Sequence, residues 1–570
     1  MRGIGASSGI AIGKVFLYDP KRAVAQKRAI ADADSEIERL NAARDEAKSQ
    51  IKSLHAKALE TIGQQEAMIF EAHLALTDDP VLFKNAVQII TTQNVNAEWA
   101  LNEAIDKFIR MFEALDNKYI AERAVDLKDI RSRMLDILMD VKTQDISHID
   151  ELSIIVALDL LPSDTAKIDK GKVLGFVTEL GAKLSHTAII ARSLEIPAVV
   201  GLSGAMANVK QGDLIILDGD TGEVILNPDK STIDIYEKKK QEYFYFKNEL
   251  KVFKGKPSMT KDGKRVHILA NIGTPKDVDS CIENDAEGIG LFRTEFLYMD
   301  RQDIPSEDEQ FEAYKEVVSR MQGKPVIIRT LDVGGDKDIP YLGLSKEDNP
   351  FLGYRAIRYC IDRQDIFKAQ LRAILRASAY GHVKIMFPMI ATLTELRRAK
   401  IILNEVRHDL KLENIAFDEK MEIGIMVEIP ACAIAADLFA KESDFFSIGT
   451  NDLIQYTMAV DRGNSKVSAL YSHFNPSVLR LVKYVIDSAH KNGIPVGMCG
   501  EAASDPALIP ALVGMGLDDF SMNPSSVLRA RSVVGKTTKD QAAKIAESLL
   551  SMATAEEVEE YLISAEDRIY

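Results

Sequence analysis

Eight short apolar blocks, each followed by a stretch of helical spacing, fill the chain from residue 258 onward, and few folds accommodate them. They run from Val266 to Ile272, Gly288 to Phe296, Val326 to Asp332, Lys384 to Ile390, Glu422 to Ile429, Phe445 to Asp452, Pro495 to Glu501 and Phe520 to Asn523. Near-continuous hydrophobicity marks strands buried on both faces, as parallel sheets covered by helices require. Eight such alternations predict a (β/α)8 barrel, whose chemistry gathers at the carboxyl ends of the strands. Arg293, Arg329, Glu428, Asp452 and Cys499 all fall near such ends.

The front of the chain reads differently. Ile37, Leu40, Ala43, Ala47, Ile51 and Leu54 recur at three and four, the spacing of one helical face. Asp78-Asp79-Pro80 interrupts the pattern, and Ile105, Phe108, Phe112 and Leu115, then Leu127, Ile130, Met134 and Leu138, resume it. This predicts an all-helical domain of antiparallel hairpins. Strand-like blocks flank it, Gly9 to Leu17 before and Ser153 to Ala157, Val173 to Val177, Ala198 to Val200 and Leu214 to Leu217 after, so the helices read as an insertion in a small α/β domain. A charged helix, roughly 231 to 252, then follows Asn227-Pro228 as a linker. The expected architecture is α/β and multidomain: residues 1–20 with 145–227 an α/β domain, 21–144 the helical insertion, 228–257 the linker and 258–570 the barrel.

Composition narrows the function. At 570 residues the chain must divide into several domains. A formal charge of -15 argues against nucleic acid, whose binding needs a basic footprint, and suits a basic protein partner. Four cysteines, Cys281, Cys360, Cys432 and Cys499, show no pairing spacing, which fits a reducing compartment. No signal-peptide core opens the chain and no stretch approaches the roughly twenty apolar residues of a membrane span, so a cytoplasmic location is expected.

The candidate chemistry is divided between the halves. His186 follows Ser185 and precedes Thr187 and the apolar Ala188-Ile189-Ile190-Ala191, placing it near a helix start whose free amides favour an anion. Thr165 is a candidate for fixing the ring. In the barrel Arg293, Arg329 and Arg462 are suited to bidentate phosphate binding, with Lys337 a further charge. Any one arginine is an ordinary ion-pair partner, but three at the ends of one barrel's strands read as an anion site. Glu428 and Asp452, with Asn451 beside them, suit Mg²⁺, which takes few protein oxygens and completes its shell from substrate and water. Cys499 at the rim is a candidate proton donor rather than the usual buried small hydrophobe. A histidine able to hold a phosphoryl group lies more than a hundred residues from the groups that would supply it. One must travel to the other.

These residues, with Gly290-Leu291-Phe292-Arg293-Thr294-Glu295-Phe296, Asn349-Pro350-Phe351-Leu352-Gly353-Tyr354-Arg355 and Phe446-Ser447-Ile448-Gly449-Thr450-Asn451-Asp452 in order, resemble Enzyme I of the bacterial phosphotransferase system across essentially the whole chain. The resemblance implies a phosphotransferase with a nitrogenous acceptor, taking its phosphoryl group from phosphoenolpyruvate. His186 would be phosphorylated on Nε2 and Cys499 would protonate the departing enolate to pyruvate. Arg293, Arg329, Asn451, Asp452 and Arg462 would hold phosphoenolpyruvate, and Glu428 and Asp452 would hold Mg²⁺. The helical insertion would dock the phosphocarrier HPr, through Ile69 to Leu74 and Asp78-Asp79, on the route to sugar uptake. The chain would pair as a homodimer through the barrel. Related dikinases and synthases carry an ATP-binding domain in front, and nitrogen-branch paralogues a sensory one; the sugar branch is favoured. A barrel lyase would have no use for His186, and a non-catalytic relay scaffold would not retain the barrel residues.

One departure stands out. The family pattern before the active histidine is Gly-Gly-Arg-Thr-Ser-His, and here it reads Gly181-Ala182-Lys183-Leu184-Ser185-His186. Ala182 restricts the backbone, Lys183 lacks the planar fork and Leu184 lacks a hydroxyl. The alternative reading is therefore a specialised paralogue serving a non-standard carrier or a regulatory relay. The substitutions predict slowed self-phosphorylation, so the double variant Lys183→Arg, Leu184→Thr should raise the single-turnover rate; an unchanged or lower rate contradicts this.

Overall fold

All eight apolar blocks form strands, and the strands close into a parallel barrel in the order β10-β11-β12-β13-β14-β15-β8-β9. With β1–β7 in the first part of the chain, they are β8 (His267–Ile272), β9 (Ile289–Arg293), β10 (Val326–Arg329), β11 (Val383–Phe387), β12 (Ile423–Val427), β13 (Phe445–Ile448), β14 (Val496–Cys499) and β15 (Asp519–Met522). Helices enclose them, and the two layers share one continuous apolar core. The structure is a computed structural model. It describes the chain apart from residues 21–22, 62–63, 114–117, 142–145, 147–148, 150, 170, 182–184, 195, 300, 302, 336–338, 345–346, 463, 465 and 570.

Several blocks overrun their strands at the carboxyl end. β9 stops at Arg293 rather than Phe296, β10 at Arg329 rather than Asp332, and β13 at Ile448 rather than Asp452. The chain stays buried as it turns over the rim, through Thr294, Leu331 and Val333, so hydrophobicity does not mark where the ladder ends. Asp452 accordingly sits in the first turn of the helix Thr450–Met458, a correction to its expected place at a strand end.

The barrel interior follows the strand period of two. Leu291, Ile327, Met426 and Phe445 join Met386 and Cys499 in an apolar plug. Two residues further along four of these strands stand Arg293, Arg329, Glu428 and Ser447. The polar mouth is thus the next layer of the same alternation that builds the plug.

The chain divides into two units, Met1–Lys247 and Asn248–Tyr570. In the first, β1 (Ile4–Ser7), β2 (Ile10–Tyr18), β3 (Ser153–Ala157), β4 (Val173–Thr178), β5 (Ala198–Val200), β6 (Leu214–Asp218) and β7 (Glu223–Leu226) form one sheet ordered β1-β5-β4-β3-β2-β6-β7. Although β2 and β3 pair side by side in parallel, five long helices separate them in sequence. These helices span Ala33–Thr61, Gln64–Thr77, Pro80–Gln93, Ala97–Glu113 and Lys118–Leu138. The third begins where Asp78-Asp79-Pro80 broke the pattern: Asp79 caps it by accepting from the Val81 amide at 2.7 Å, with Pro80 in the first turn. Leu40, Ala43, Ala47, Ile51 and Leu54 all face inwards, as their spacing required.

Within the stretch expected to meet a partner, Phe70 and His73 are each only 1% exposed, so neither is on the surface; Glu71 and Asp78 are. Phe70 packs with Ile51, Leu54 and Ala58, and His73 pairs with Asp126 at 3.2 Å. A helix Lys230–Lys251 follows the sheet. Just beyond it the fully buried Arg531 holds the chain to the barrel, bonding the Phe253 carbonyl at 3.0 Å, Ser258 Oγ at 3.2 Å and Asp285. No described helix is long and apolar enough to cross a membrane, and all four cysteines are buried and free.

At the amino-terminal face of the barrel, His267 and Asp519 are register partners on β8 and β15, and His267 Nδ1 lies 2.9 Å from Asp519 Oδ1. The hydrogen bond to Asp519 raises the imidazole above its ordinary value of 6.5, against the opposing effect of burial. A raised histidine stabilises the fold fully below its unfolded value and loses that contribution as pH rises through the folded one. Asp519→Asn should therefore lower the melting temperature more at about pH 5.5 than at about pH 9; an equal loss at both contradicts the pairing.

Candidate active site

Arg293 and Arg329 end neighbouring strands and are direct register partners. Two like charges facing each other across a ladder repel, so the pair needs compensation. Arg329 receives it: Nη2 donates to Glu295 Oε1 at 2.6 Å and Nη1 lies 3.2 Å from Asp332 Oδ2. Burial works against its charge, but Glu295, Asp332 and Glu428 overcome that and keep the guanidinium more firmly protonated than usual. Its Nε–H is buried and meets no acceptor among the described residues. Arg293 forms no hydrogen bond or ion pair among the described residues, and burial followed by the charge of Arg329 pushes its pKa down. A half-buried guanidinium with no acid partner among the described residues, beside a second one, favours an anion by its electrostatics.

Arg355 closes the other side of the mouth and is only 3% exposed. Its Nε and Nη2 grip Asp332 at 3.0 and 3.2 Å, and its Nη1 and Nη2 reach Asp452 at 3.4 and 3.3 Å. Nη1 also reaches the Tyr456 hydroxyl at 3.1 Å, and that hydroxyl in turn donates to the Phe351 carbonyl at 2.5 Å. The loop carrying Arg355 passes immediately into Ala356 at φ 51°, a left-handed conformation that costs a non-glycine residue about 1–3 kcal/mol. The Ala356 amide, donating to Val333 O at 3.0 Å, helps hold it.

Glu428 lies just past β12, wholly buried, with Oε1 accepting from the Met389 amide at 2.6 Å. A side chain at Gly449 would meet Oε2 at 2.9 Å, which explains why the chain has glycine there. Burial, then the charges of Asp452 and Asp332, push its carboxyl up to about 8. Crowded carboxylates of this kind invite a cation. Among the described residues no group of three or more acid, histidine or cysteine side chains is arranged to hold a metal alone. Two carboxylates at the rim of an anion site are the donor set for an ion that shares its shell with substrate, which is how Mg²⁺ is usually bound.

Cys499 ends β14, buried, and Ser447 on β13 donates its hydroxyl to the Cys499 sulfur at 3.3 Å. Burial raises the thiol, while the Ser447 hydroxyl and then Arg329 act to lower it. Asn451 lies on the rim beside Asp452, its Oδ1 accepting from the Glu501 amide at 3.3 Å. Arg462 is exposed in a loop whose charge reaches Arg293. The structure therefore brings Arg293, Arg329, Glu428, Asn451, Asp452 and Cys499 to one end of the barrel, with Arg462 at its edge.

His186 belongs to the first unit. It is the first residue of the helix His186–Ser193, which Ser185 caps by accepting from the Ala188 amide at 3.4 Å. Thr187 donates to the Leu160 carbonyl at 3.3 Å, and Thr165 to the Pro162 carbonyl at 2.9 Å. The His186 ring, Ala182-Lys183-Leu184 and Lys337 lie outside what the structure describes.

A family model described as the PEP-binding domain of PEP-utilising enzymes matches residues 247–539, one for their N-terminal part matches 2–123, and one for their mobile domain matches 149–222. A phosphoenolpyruvate-protein phosphotransferase of Geobacillus stearothermophilus is 53% identical over 98% of this chain and 96% of its own. The chain belongs to the phosphoenolpyruvate-protein phosphotransferase family. The Bacillus subtilis member is 50% identical over 98% of both chains. A solution structure of an Enzyme I protein, 43% identical, covers 43% of this chain and 99% of its own, with a TM-score of 0.39.

The mouth of the barrel contains four further residues that strand spacing does not mark: Glu295, Asp332, Arg355 and Ser447. Three lie in turns beyond the strand ends, and the acid three residues after Arg329 was the available signal for Asp332. Arg355 closes the long stretch from Asn349, and Ser447 lies within the block Phe445 to Asp452. Because Arg355 holds Asp332 and Asp452 through one planar fork, lysine cannot replace it. Arg355→Lys should cut incorporation of label from phosphoenolpyruvate by about 100-fold, the usual scale for a misplaced site, in a rapid-quench assay; a loss below about threefold contradicts the role.

Proposed function

We propose that this chain takes the phosphoryl group of phosphoenolpyruvate onto its own His186 and passes it to a histidine of the carrier HPr, releasing pyruvate. The observation that carries the reading is the half-buried Arg293, without an ion-pair partner among the described residues, opposite Arg329 at the mouth of a barrel whose sequence matches the PEP-binding domain over residues 247–539.

In this reading Arg293, Arg329 and Arg462 spread the charge of the transferring group, and Asn451 helps orient the substrate. Glu428 and Asp452 would hold Mg²⁺, which when bound adds positive charge at the phosphoryl oxygens. Neutral His186 attacks phosphorus in line: the Nε2–P bond forms, the bridging P–O bond breaks, and its electron pair leaves with the enolate oxygen. Cys499 gives its proton to the methylene carbon, making pyruvate and leaving a thiolate that solvent reprotonates. The helix start at His186 favours the phosphorylated ring, since free amides and the helix dipole stabilise an anion. The α/β portion of the first unit would be the phosphohistidine domain and the inserted helices the carrier's platform. HPr as acceptor, pairing of two chains through the barrel and a cytoplasmic location rest on the family resemblance.

Incubation with labelled phosphoenolpyruvate and Mg²⁺ should place acid-labile, base-stable label on His186, and label found elsewhere overturns the reading. Arg329→Ala or Asp452→Ala should abolish this labelling by at least about 100-fold while leaving labelling from phosphorylated HPr intact. Loss of both reactions together would count against two separate sites.

A further inference from the structure

Ser447 is the uncharged residue in the polar layer that it shares with Arg293, Arg329 and Glu428. It is 3% exposed, and the preceding inward residue of its strand, Phe445, belongs to the apolar plug. A buried hydroxyl costs free energy unless it is well bonded. Among the described residues its hydroxyl bonds to the sulfur of Cys499 on the next strand, at 3.3 Å, and sulfur is a weak acceptor for so buried a donor. An alanine would fill this position without that cost. What the hydroxyl does for the neutral thiol is modest; what it does for a thiolate is larger, because hydrogen bonds to charged groups are roughly twice as strong.

We propose that Ser447 is a positioning residue for proton delivery: by donating to the Cys499 sulfur it turns the S–H bond toward the barrel mouth and then caps the thiolate left behind. The inference rests on the reading of Cys499 as the proton donor. The balance is simple. The enolate's double-bond electrons form the new C–H bond with the proton from Cys499, the sulfur keeps its bonding pair, and the Ser447 hydroxyl keeps its own proton while shortening its contact with the anion. Arg329 and Arg293 favour the thiolate and Glu428 opposes it, so Ser447 is the neutral donor among the groups acting on that sulfur. The two strands set the geometry: Ser447 is the register partner of Gly497, two residues before Cys499 on the neighbouring strand.

The test is deuterium uptake into the methyl group of pyruvate from D₂O, followed by proton NMR with the full chain, pyruvate and Mg²⁺ across a pH series. Ser447→Ala should slow uptake about tenfold, the scale of one hydrogen bond to a charged group, and shift its pH profile upward. Ser447→Thr, which restores a hydroxyl, should recover the rate to within about threefold. Uptake at the wild-type rate and with the wild-type pH profile in Ser447→Ala overturns the proposal, as does a Thr variant no better than Ala. Cys499→Ala separates the two claims. If it abolishes uptake while Ser447→Ala does not slow it, only the role of Ser447 fails. Undiminished uptake in Cys499→Ala, or none in the wild-type chain, removes the proton-donor reading and this proposal with it.

Discussion

A buried network of ion pairs around Arg329 and Arg355 organises the mouth of the barrel. Arg329 reaches Glu295 and Asp332, and Arg355 reaches Asp332 and Asp452, so Asp332 is shared between the two guanidinium groups. Buried charges are tolerable only when geometry and hydrogen bonding are nearly complete. That requirement fixes the ends of β9 and β10, the loop before Ala356 and the first turn of the helix Thr450–Met458 relative to one another. Such pairs contribute little net stability compared with an apolar replacement, so their place here makes sense as placement of charge.

Two groups stand outside the balance. Arg293 has no acid partner among the described residues, and Glu428 is pushed up by burial and by neighbouring carboxylates. One favours an anion and the other a cation, and they sit within one rim beneath which the interior is apolar. Phosphoryl transfer asks mainly for such fixed charge and for positioning. Cys499, at the top of the plug, is a thiol that burial pushes up while the Ser447 hydroxyl and the charges of Arg329 and Arg293 act to lower it.

Periodicity revealed the barrel, the helical insertion and the helix break at Asp79 because each depends on local spacing and on which faces are buried. It misjudged strand ends, since Leu331, Val333 and Thr294 remain buried after the ladder stops. Strand-like spacing thus runs on to Asp452 although that residue belongs to a helix. Side chains on strand ends, such as Arg293, Arg329 and Cys499, were legible from position. Arg355 was not, because its partners lie 23 and 97 positions away and only the closed barrel brings them together. The expectation that Phe70 and His73 face a partner failed for a similar reason: an apolar helix face within an insertion reads equally as surface or core until the neighbouring helix is placed.

The central claim is that Arg293, without an acid partner among the described residues, receives the substrate's phosphate. Calorimetric titration of phosphoenolpyruvate into the full chain with Mg²⁺ present tests it most directly. Arg293→Gln should weaken binding by about tenfold or more, as loss of a charge-assisted phosphate contact requires. Binding of unaltered affinity would show that the mouth recognises its substrate without this guanidinium, and the account of the site would be wrong.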